Sequence, residues 1–520
     1  MTHLSVPIAA KNLDQAARQI KAARAAGAEM LELRTDYLEN LSTDLVKSLV
    51  AAAKSTGRKQ LPIIATCRDI RQGAAIDYPL RLRLDVLTAA LRAGVEFIDV
   101  EYENFLLTDS RERIARAISE STKARLIISA HNFEAKFDNI GKLYRRIQAA
   151  YPAAIPKLIY SANHINDCFE AFDLLRGTGG DRIVFCMGEA GLISRIIAKK
   201  LNSFVTFASI DENAATAPGQ LTCRLLKELY RYDSIGPETE LYGVIGSPIA
   251  HSLSPAIHNA CFDDIGVDKL YLPLLVEGGQ HEFDRFMKNV LTRPRLNFKG
   301  FSVTIPHKRN ALGYTIAGRG AVEPLAERIG AVNTLLIGQD GKLSAYNTDY
   351  AGAMEAITSA LGPKAKLKDL PVAVIGAGGV ARAIVAALRD ADAQIRIYNR
   401  TIERGRKLAA EFNCDFSPLD DLPDIDAKLI INCTSIGMHP YASATPLPKK
   451  YIRKDMVVFD TVYNPPQTLL LKQAKQKKAK TIDGLSMFVN QAAAQFKLFT
   501  QKQPNTKLMR KTVCNSLSRR

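Results

Sequence analysis

Val372-Ala373-Val374-Ile375-Gly376-Ala377-Gly378-Gly379-Val380-Ala381 is an apolar run that feeds straight into a glycine loop, with a helical pattern, Arg382 to Leu388, behind it. Gly-x-Gly-x-x-Ala between a strand and a helix is the pattern of a dinucleotide-binding turn. The glycines let backbone approach a pyrophosphate, Ala381 lets the helix pack closely, and the helix N-terminus offers amide donors and the positive end of its dipole. The next strand, Gln394 to Tyr398, ends in Asn399-Arg400-Thr401 with Arg404 nearby. An acidic residue there would hold a free ribose hydroxyl, whereas guanidinium groups fork onto a phosphate. The loop therefore predicts NADP(H), held by Gly376, Ala377, Gly378, Gly379, Val380, Asn399, Arg400, Thr401 and Arg404. Taken singly, a tight turn or a solvated arginine pair would explain each feature as well.

Upstream, short apolar runs alternate with amphipathic helical stretches. Eight strands are predicted, Leu4 to Ala10, Met30 to Leu38, Leu61 to Arg68, Phe97 to Tyr102, Arg125 to Phe133, Ile155 to Asn163, Arg182 to Gly188 and Phe204 to Ile210. Several intervening helices close on a glycine (Gly27, Gly57, Gly94), as helix ends prefer. Eight such units over this length match a (β/α)8 TIM barrel, whose chemistry sits at the carboxyl ends of the strands. Those ends carry Glu32, Arg34, Arg68, His131, Lys157 and Met187. A purely structural barrel has little reason to gather five ionisable side chains there.

The pattern pauses at Asp233-Ser234-Ile235-Gly236-Pro237-Glu238-Thr239-Glu240, a polar stretch that predicts the domain boundary. The organisation read from the chain is a barrel over 1–232, a substrate-binding domain over 241–345, a Rossmann domain over 346–500 whose last helix returns to the substrate lobe, and a basic tail over 501–520 marked by Lys507, Arg510, Lys511, Arg519 and Arg520.

With 520 residues and 24% charged side chains the chain reads as a multidomain globular protein, and no apolar run is long enough to cross a bilayer. The formal charge of +17 is spread through helices without an aromatic-interleaved basic patch, which argues for anionic small molecules rather than nucleic acid. Eight cysteines without Cys-x-x-Cys spacing suggest reduced thiols and a cytoplasmic protein, and no targeting segment is evident at the start. His251, His258 and His307 lack a carboxylate at ligand spacing, so no metal is expected.

Ser252-Leu253-Ser254-Pro255, Phe301-Ser302-Val303-Thr304-Ile305-Pro306-His307-Lys308, Gly330-Ala331-Val332-Asn333-Thr334 and Tyr346-Asn347-Thr348-Asp349 together resemble the shikimate dehydrogenase family, in family order, over Leu241 to Thr500. The resemblance implies Lys308 and Asp349 as the catalytic pair, which suits ketone reduction, where the oxygen needs a proton donor held in place. It further implies that Ser252, Ser254 and Tyr463 bind the substrate carboxylate, that Thr304, Asn333 and Gln491 hold ring hydroxyls, and that Thr461, Gly484 and Met487 line the cofactor, with Asn432-Cys433-Thr434-Ser435 on the cofactor strand.

Residues 4 to about 230 resemble the type I 3-dehydroquinate dehydratases through Glu32-Leu33-Arg34, Ser129-Ala130-His131, Ile155-Pro156-Lys157, Met187 to Arg195, and Thr216-Ala217-Pro218-Gly219-Gln220. That resemblance implies that Lys157 forms a Schiff base with the substrate ketone and that His131 moves the proton. Arg195 would pair with the carboxylate, and Glu32, Arg34, Arg68, Thr216 and Gln220 would bind hydroxyls. An amine attacks only when neutral, and a barrel interior with arginine neighbours is expected to lower the pKa of Lys157. One position departs from the family, since Gln72 stands where a glutamate usually pairs with the histidine. Its amide can fix the imidazole tautomer, but without the negative charge His131 is expected to be less basic.

Together the resemblances imply a bifunctional enzyme that makes 3-dehydroshikimate in its barrel and reduces it to shikimate in its second half, as a monomer or dimer without nucleic acid or membrane partners. The alternatives are a catabolic quinate or shikimate oxidoreductase using NAD, which Arg400 opposes, and a metabolite sensor without turnover, which would not need all of Lys157, His131, Lys308 and Asp349.

Overall fold

The computed structural model describes the chain except residues 58–59, 122, 178, 363–365 and 519–520, so Arg519 and Arg520 lie outside the described residues. It divides into two compact units, Met1–Thr239 with Leu274–Val276, and Glu240–Pro273 with Glu277–Arg520.

The first unit is built on eight strands, β1 (His3–Ile8), β2 (Met30–Arg34), β3 (Ile63–Thr66), β4 (Phe97–Glu101), β5 (Arg125–Asn132), β6 (Ile155–Ser161), β7 (Ile183–Met187) and β8 (Val205–Phe207). All eight predicted strands are present, each ending a little earlier than expected because the chain turns into the site. The order is β7-β6-β5-β4-β3-β2-β1-β8 with parallel pairing throughout. The Phe204 N–H donates to the Arg182 carbonyl at 2.8 Å across the foot of the seam between β7 and β8.

Strand side chains alternate between faces, so residues two apart share the barrel interior. Met30, Ile64, Phe97, Ile127, Ile155, Ile183 and Val205 form one apolar cluster at its base. Two residues further along the same strands stand Glu32, Thr66, Asp99, Ser129 and Lys157. The same alternation that fills the lower barrel with hydrocarbon thus delivers polar groups to its mouth.

The second unit holds two sheets. One contains β9 (Glu240–Gly246), β10 (Lys269–Leu275), β11 (Phe298–Val303), β12 (Ala321–Val322), β13 (Thr334–Ile337) and β14 (Leu343–Tyr346), in the order β10-β9-β11-β13-β14-β12. The other contains β15 (Pro371–Ile375), β16 (Gln394–Asn399), β17 (Asp415–Pro418), β18 (Leu429–Asn432), β19 (Val457–Asp460) and β20 (Lys480–Ile482), ordered β17-β16-β15-β18-β19-β20. This is the doubly wound Rossmann order, whose switch point lies at the end of β15. Val372 and Val374 face one apolar cluster and Ala373 and Ile375 another, as a parallel sheet covered on both faces requires.

Four helices of this unit matter below, α1 (Thr348–Leu361), α2 (Gly379–Asp390), α3 (Gly484–Thr500) and α4 (Thr506–Ser518). The expected basic tail over 501–520 is corrected by α4, which buries Met509 and Val513 and packs on the helix Ser254–Asp264. Its lysines and arginines sit on the opposite face of an amphipathic helix, which is why charge alone misled.

His258 on that helix is 0% exposed and stacks on Tyr271 with ring centroids 4.3 Å apart. Burial pushes its imidazole down to about 3, against a smaller opposing pull from Gln495. The fold keeps His258 neutral while the unfolded chain protonates it below its ordinary 6.5, so it lowers stability progressively as pH falls from there towards about 3. His258→Phe keeps a ring and removes the titration. Relative to the parent, the variant should gain roughly 3 kcal/mol between about pH 7 and about pH 4, measured as the difference in urea unfolding at the two pH values.

Candidate active sites

At the mouth of the barrel, Glu32, Arg34, Arg68, His131, Lys157, Arg195, Thr216 and Gln220 line one cavity of about 500 Å³ including its open mouth, together with Gln72 and Phe185. Lys157 Nζ lies 2.8 Å from Asp99 Oδ2 and 3.3 Å from Glu32 Oε1. The expected arginine neighbours line the same cavity, but the nearest charged neighbours of Lys157 are carboxylates. The aromatic face of Phe207 lies 4.7 Å below the ammonium.

The three arginines differ. Arg34 is forked onto Asp36 at 2.9 and 2.8 Å. Arg68 is forked onto Asp99 at 3.1 and 2.8 Å and also donates to Glu101 and to Ser129 Oγ. Arg195 has no carboxylate within ion-pair reach among the described residues. It is 1% exposed, over the Phe185 ring at 4.4 Å, and its Nη2 reaches only the Pro218 carbonyl, at 3.4 Å. Burial without an anion lowers its guanidinium to about 10. A buried cation in that state is complementary to a carboxylate ligand.

Gln72 Oε1 lies 3.1 Å from the His131 backbone N–H and 2.9 Å from His131 Nδ1. The backbone group can only donate, so the atom facing both is the amide oxygen and Nδ1 carries the proton. Nε2 is left as the basic nitrogen. The imidazole is held well below its ordinary range, first by burial and then by Arg68 and Lys157. The direction agrees with expectation, but its main cause is burial rather than the missing glutamate charge.

In the second unit Lys308 Nζ is ion-paired with Asp349 Oδ2, and both residues are buried. The Asn347 side chain caps α1 by accepting from the Asp349 and Tyr350 amides, which fixes Asp349 on the first turn. Asn333 is tied to the same turn, its Oδ1 accepting from the Thr348 N–H at 2.8 Å. Gly352, one turn on, packs against Gln491 of α3, where a Cβ would stand 3.0 Å from the Gln491 nitrogen. Ser252 Oγ accepts from the Ser254 N–H at 3.3 Å, Thr304 follows β11, and Tyr463 stacks on Phe488 at 4.3 Å.

The glycine loop fits a dinucleotide. Gly376 has φ +111 and a Cβ there would meet the Cys433 backbone at 3.2 Å. Gly378 faces open space and caps α2 without any side-chain hydrogen bond, so the amides of the first turn remain available to a phosphate. A Cβ on Gly379 would lie 3.1 Å from Lys308 Cδ, which sets the paired lysine beside the loop. Arg400, Thr401 and Arg404 are exposed after β16, and the two arginines form no ion pair among the described residues. Gly484 abuts the Thr461 carbonyl, with Met487 one turn along α3.

Residue-by-residue reading missed Asp99, Glu101 and Asp36. Asp99 and Glu101 stand at the inward phase of β4, separated by Val100 and preceded by Ile98. Charges at alternate positions of an otherwise apolar strand were the available signal.

The family profile described as type I 3-dehydroquinase matches residues 4–237, that of the shikimate dehydrogenase substrate binding domain 244–335, that of shikimate / quinate 5-dehydrogenase 358–485, and that of the shikimate 5'-dehydrogenase C-terminal domain 484–514. The shikimate dehydrogenase (NADP(+)) of Methanosarcina barkeri is 38% identical over 54% of this chain and 99% of its own. A solved Thermus thermophilus shikimate 5-dehydrogenase in complex with NADP(H) and shikimate is 35% identical, covering 54% of this chain and all of its own at a TM-score of 0.47. The dehydroquinate dehydratase and shikimate dehydrogenase structure from S. pombe is 25% identical over 99% of this chain and 98% of its own, TM-score 0.42. The chloroplastic bifunctional 3-dehydroquinate dehydratase/shikimate dehydrogenase of Arabidopsis thaliana is 34% identical over 96% of this chain and 82% of its own. With both sites assembled from their own motifs and a relative of that identity and coverage, the chain belongs to the bifunctional 3-dehydroquinate dehydratase/shikimate dehydrogenase family.

Proposed function

We propose that the barrel dehydrates 3-dehydroquinate to 3-dehydroshikimate through an imine on Lys157, and that the second unit reduces 3-dehydroshikimate to shikimate with NADPH. The observation that carries this reading is one lysine in each unit, Lys157 and Lys308, buried against a carboxylate beside groups suited to one step each.

In the barrel, Arg195 takes the substrate carboxylate, and Glu32, Arg34, Thr216 and Gln220 surround the ring hydroxyls. Lys157 condenses with the ketone, and the cationic nitrogen draws electrons from the adjacent carbon. His131 Nε2 removes a proton from that carbon and returns one to the departing hydroxyl. A weakly basic imidazole gives its proton back readily, which suits the second half of that exchange.

In the second unit Ser252, Ser254 and Tyr463 take the carboxylate, while Thr304, Asn333 and Gln491 hold hydroxyls. The loop Gly376 to Val380 would hold NADPH, with Arg400, Thr401 and Arg404 placed to take its 2′-phosphate and Asn399, Thr461, Gly484 and Met487 alongside, and the cofactor would supply the hydride. Lys308 delivers the proton to the substrate oxygen, and Asp349 fixes the ammonium for that transfer. Each site is made within one chain, which suits a monomer or a dimer equally. The free cysteines Cys67, Cys168, Cys186, Cys223, Cys261, Cys414, Cys433 and Cys514 support a reducing compartment such as the cytoplasm.

Lys157→Ala should abolish the borohydride-trapped adduct of 3-dehydroquinate and lower dehydration at least about a hundredfold while leaving NADPH oxidation intact; Lys308→Ala should do the reverse. Mass spectrometry and absorbance at the NADPH band read the two activities, and no adduct with no NADPH consumption in the parent would sink the reading. Arg400→Ala should raise the KM for NADPH about tenfold or more with little effect on NADH. Gln72→Glu sets a negative charge on His131 Nδ1, so the acid limb of dehydratase kcat/KM should move to higher pH by about one unit. A pH–rate profile unchanged by that substitution would count against the role given to Gln72.

A further inference from the structure

Asp99 is 0% exposed and lies in the interior of β4, where its two oxygens meet four donor groups. Arg68 contributes two at 3.1 and 2.8 Å, Ser129 Oγ donates at 2.6 Å, and Lys157 Nζ approaches to 2.8 Å. Burial alone would raise this carboxyl, but Arg68 and Lys157 overcome it and hold the group far below the usual carboxylate range. A carboxylate so held does not take up a proton during turnover, which excludes it as the base. Its charge is permanent and its position is fixed by three protein groups other than Lys157.

The chemistry at Lys157 needs such a charge. Condensation converts an ammonium and a ketone into an iminium and water, with two of the three ammonium protons leaving on the ketone oxygen. The nitrogen carries one positive charge before the step and one after it. Loss of the neighbouring proton to His131 moves the C–H electron pair into a carbon–carbon double bond and leaves a neutral enamine. Departure of the hydroxyl as water draws those electrons outward and restores the iminium, which water then hydrolyses back to ammonium and ketone. The sink works only while the imine is protonated, and the pocket that holds it is buried and also contains Arg195, a cation without a carboxylate partner among the described residues, both of which disfavour a further charge.

We propose that Asp99 is the counter-ion of the Lys157 nitrogen through the whole dehydration, keeping the imine protonated, and that Arg68 is a positioning residue that clamps it. This rests on the imine reading above. Glu32 also reaches Nζ, at 3.3 Å, but it lines the cavity and its Oε1 is shared with the Thr66 hydroxyl. Glu101 is turned to Arg68, Arg83 and the Asp69 amide. Arg68 donates to Asp99, Glu101 and Ser129 as well as lining the cavity, which suits this supporting role.

The test is borohydride trapping of 3-dehydroquinate and dehydratase kcat, followed from about pH 6 to about pH 8.5 in the full-length parent and in Asp99→Asn. Borohydride reduces the protonated imine, so trapping reports its population. The parent should trap to a similar extent across the range. In the variant, trapping should fall about tenfold from the acid to the alkaline end, with kcat falling in parallel. Ser129→Ala, which keeps the carboxylate and removes its hydrogen bond at 2.6 Å, should bend the same way by a smaller factor and serves if Asp99→Asn does not fold. A pH-independent loss, or none, in the folded variants overturns the counter-ion. No adduct in the parent overturns the imine reading, and this inference with it.

Discussion

A lysine ammonium inside a barrel cannot stand alone. Moving an unpaired charge from water into a protein interior costs several kcal/mol even after relaxation, and the cost is met only when partners of opposite sign and fixed geometry wait inside. Lys157, Asp99 and Arg68 satisfy one another in this way, with Glu101 and Ser129 completing the set. The arrangement demands that three neighbouring strands, β4, β5 and β6, present their inward residues at matching heights, with Arg68 reaching in from the segment after β3. Parallel registry supplies this, since Asp99 pairs with Ile127 and Thr66, and Ser129 with Lys157. The apolar layer beneath excludes water, which strengthens the attraction that the polar layer depends on.

The same constraint is solved differently in the second unit. There the Lys308 and Asp349 pair stands at a helix start, and the surroundings are neutral amides and hydroxyls. Tyr271 donates to Ser302, Ser302 to Gln495, and Gln495 to the Asn333 carbonyl and Thr334, with Asn333 in turn holding the amide of Thr348 beside Asp349. This chain of hydrogen bonds runs from the lobe's interior to the carboxylate and gives it one orientation without adding charge. On the proposed reading, a lysine that gives its proton to a substrate gains from a single acidic partner, and one that stays cationic through a covalent cycle gains from a clamped one.

How much of this was legible in the sequence follows from which features are local. The barrel strands and the glycine loop are each set by a few neighbouring residues, so periodicity and spacing revealed them, while the roles of Lys157 and Lys308 came from the motifs by which the chain resembles its families. Asp99 takes its meaning from Ser129 and Lys157 on two other strands and from Arg68 in the segment after β3, and nothing adjacent to it announces that. That Arg34 and Arg68 are each forked onto a carboxylate, Asp36 and Asp99, could be seen only once the barrel brought those partners together. The segment ending in Lys507, Arg510 and Lys511 read as a tail because its charges are conspicuous, whereas the two residues that anchor it, Met509 and Val513, acquire significance only against the helix they pack on.

Arg195 shows why pairing, rather than charge, is the informative quantity. Arg34, Arg68 and Arg195 are all buried and all line the same cavity. Two of them are already neutralised by the fold, and a substrate carboxylate brought to either would have to displace a forked interaction of comparable geometry. At Arg195 the fold leaves only a distant carbonyl and an aromatic face. An anion arriving there recovers the interaction that burial took away, which is why the proposed reading gives the substrate carboxylate to Arg195 rather than to Arg34 or Arg68.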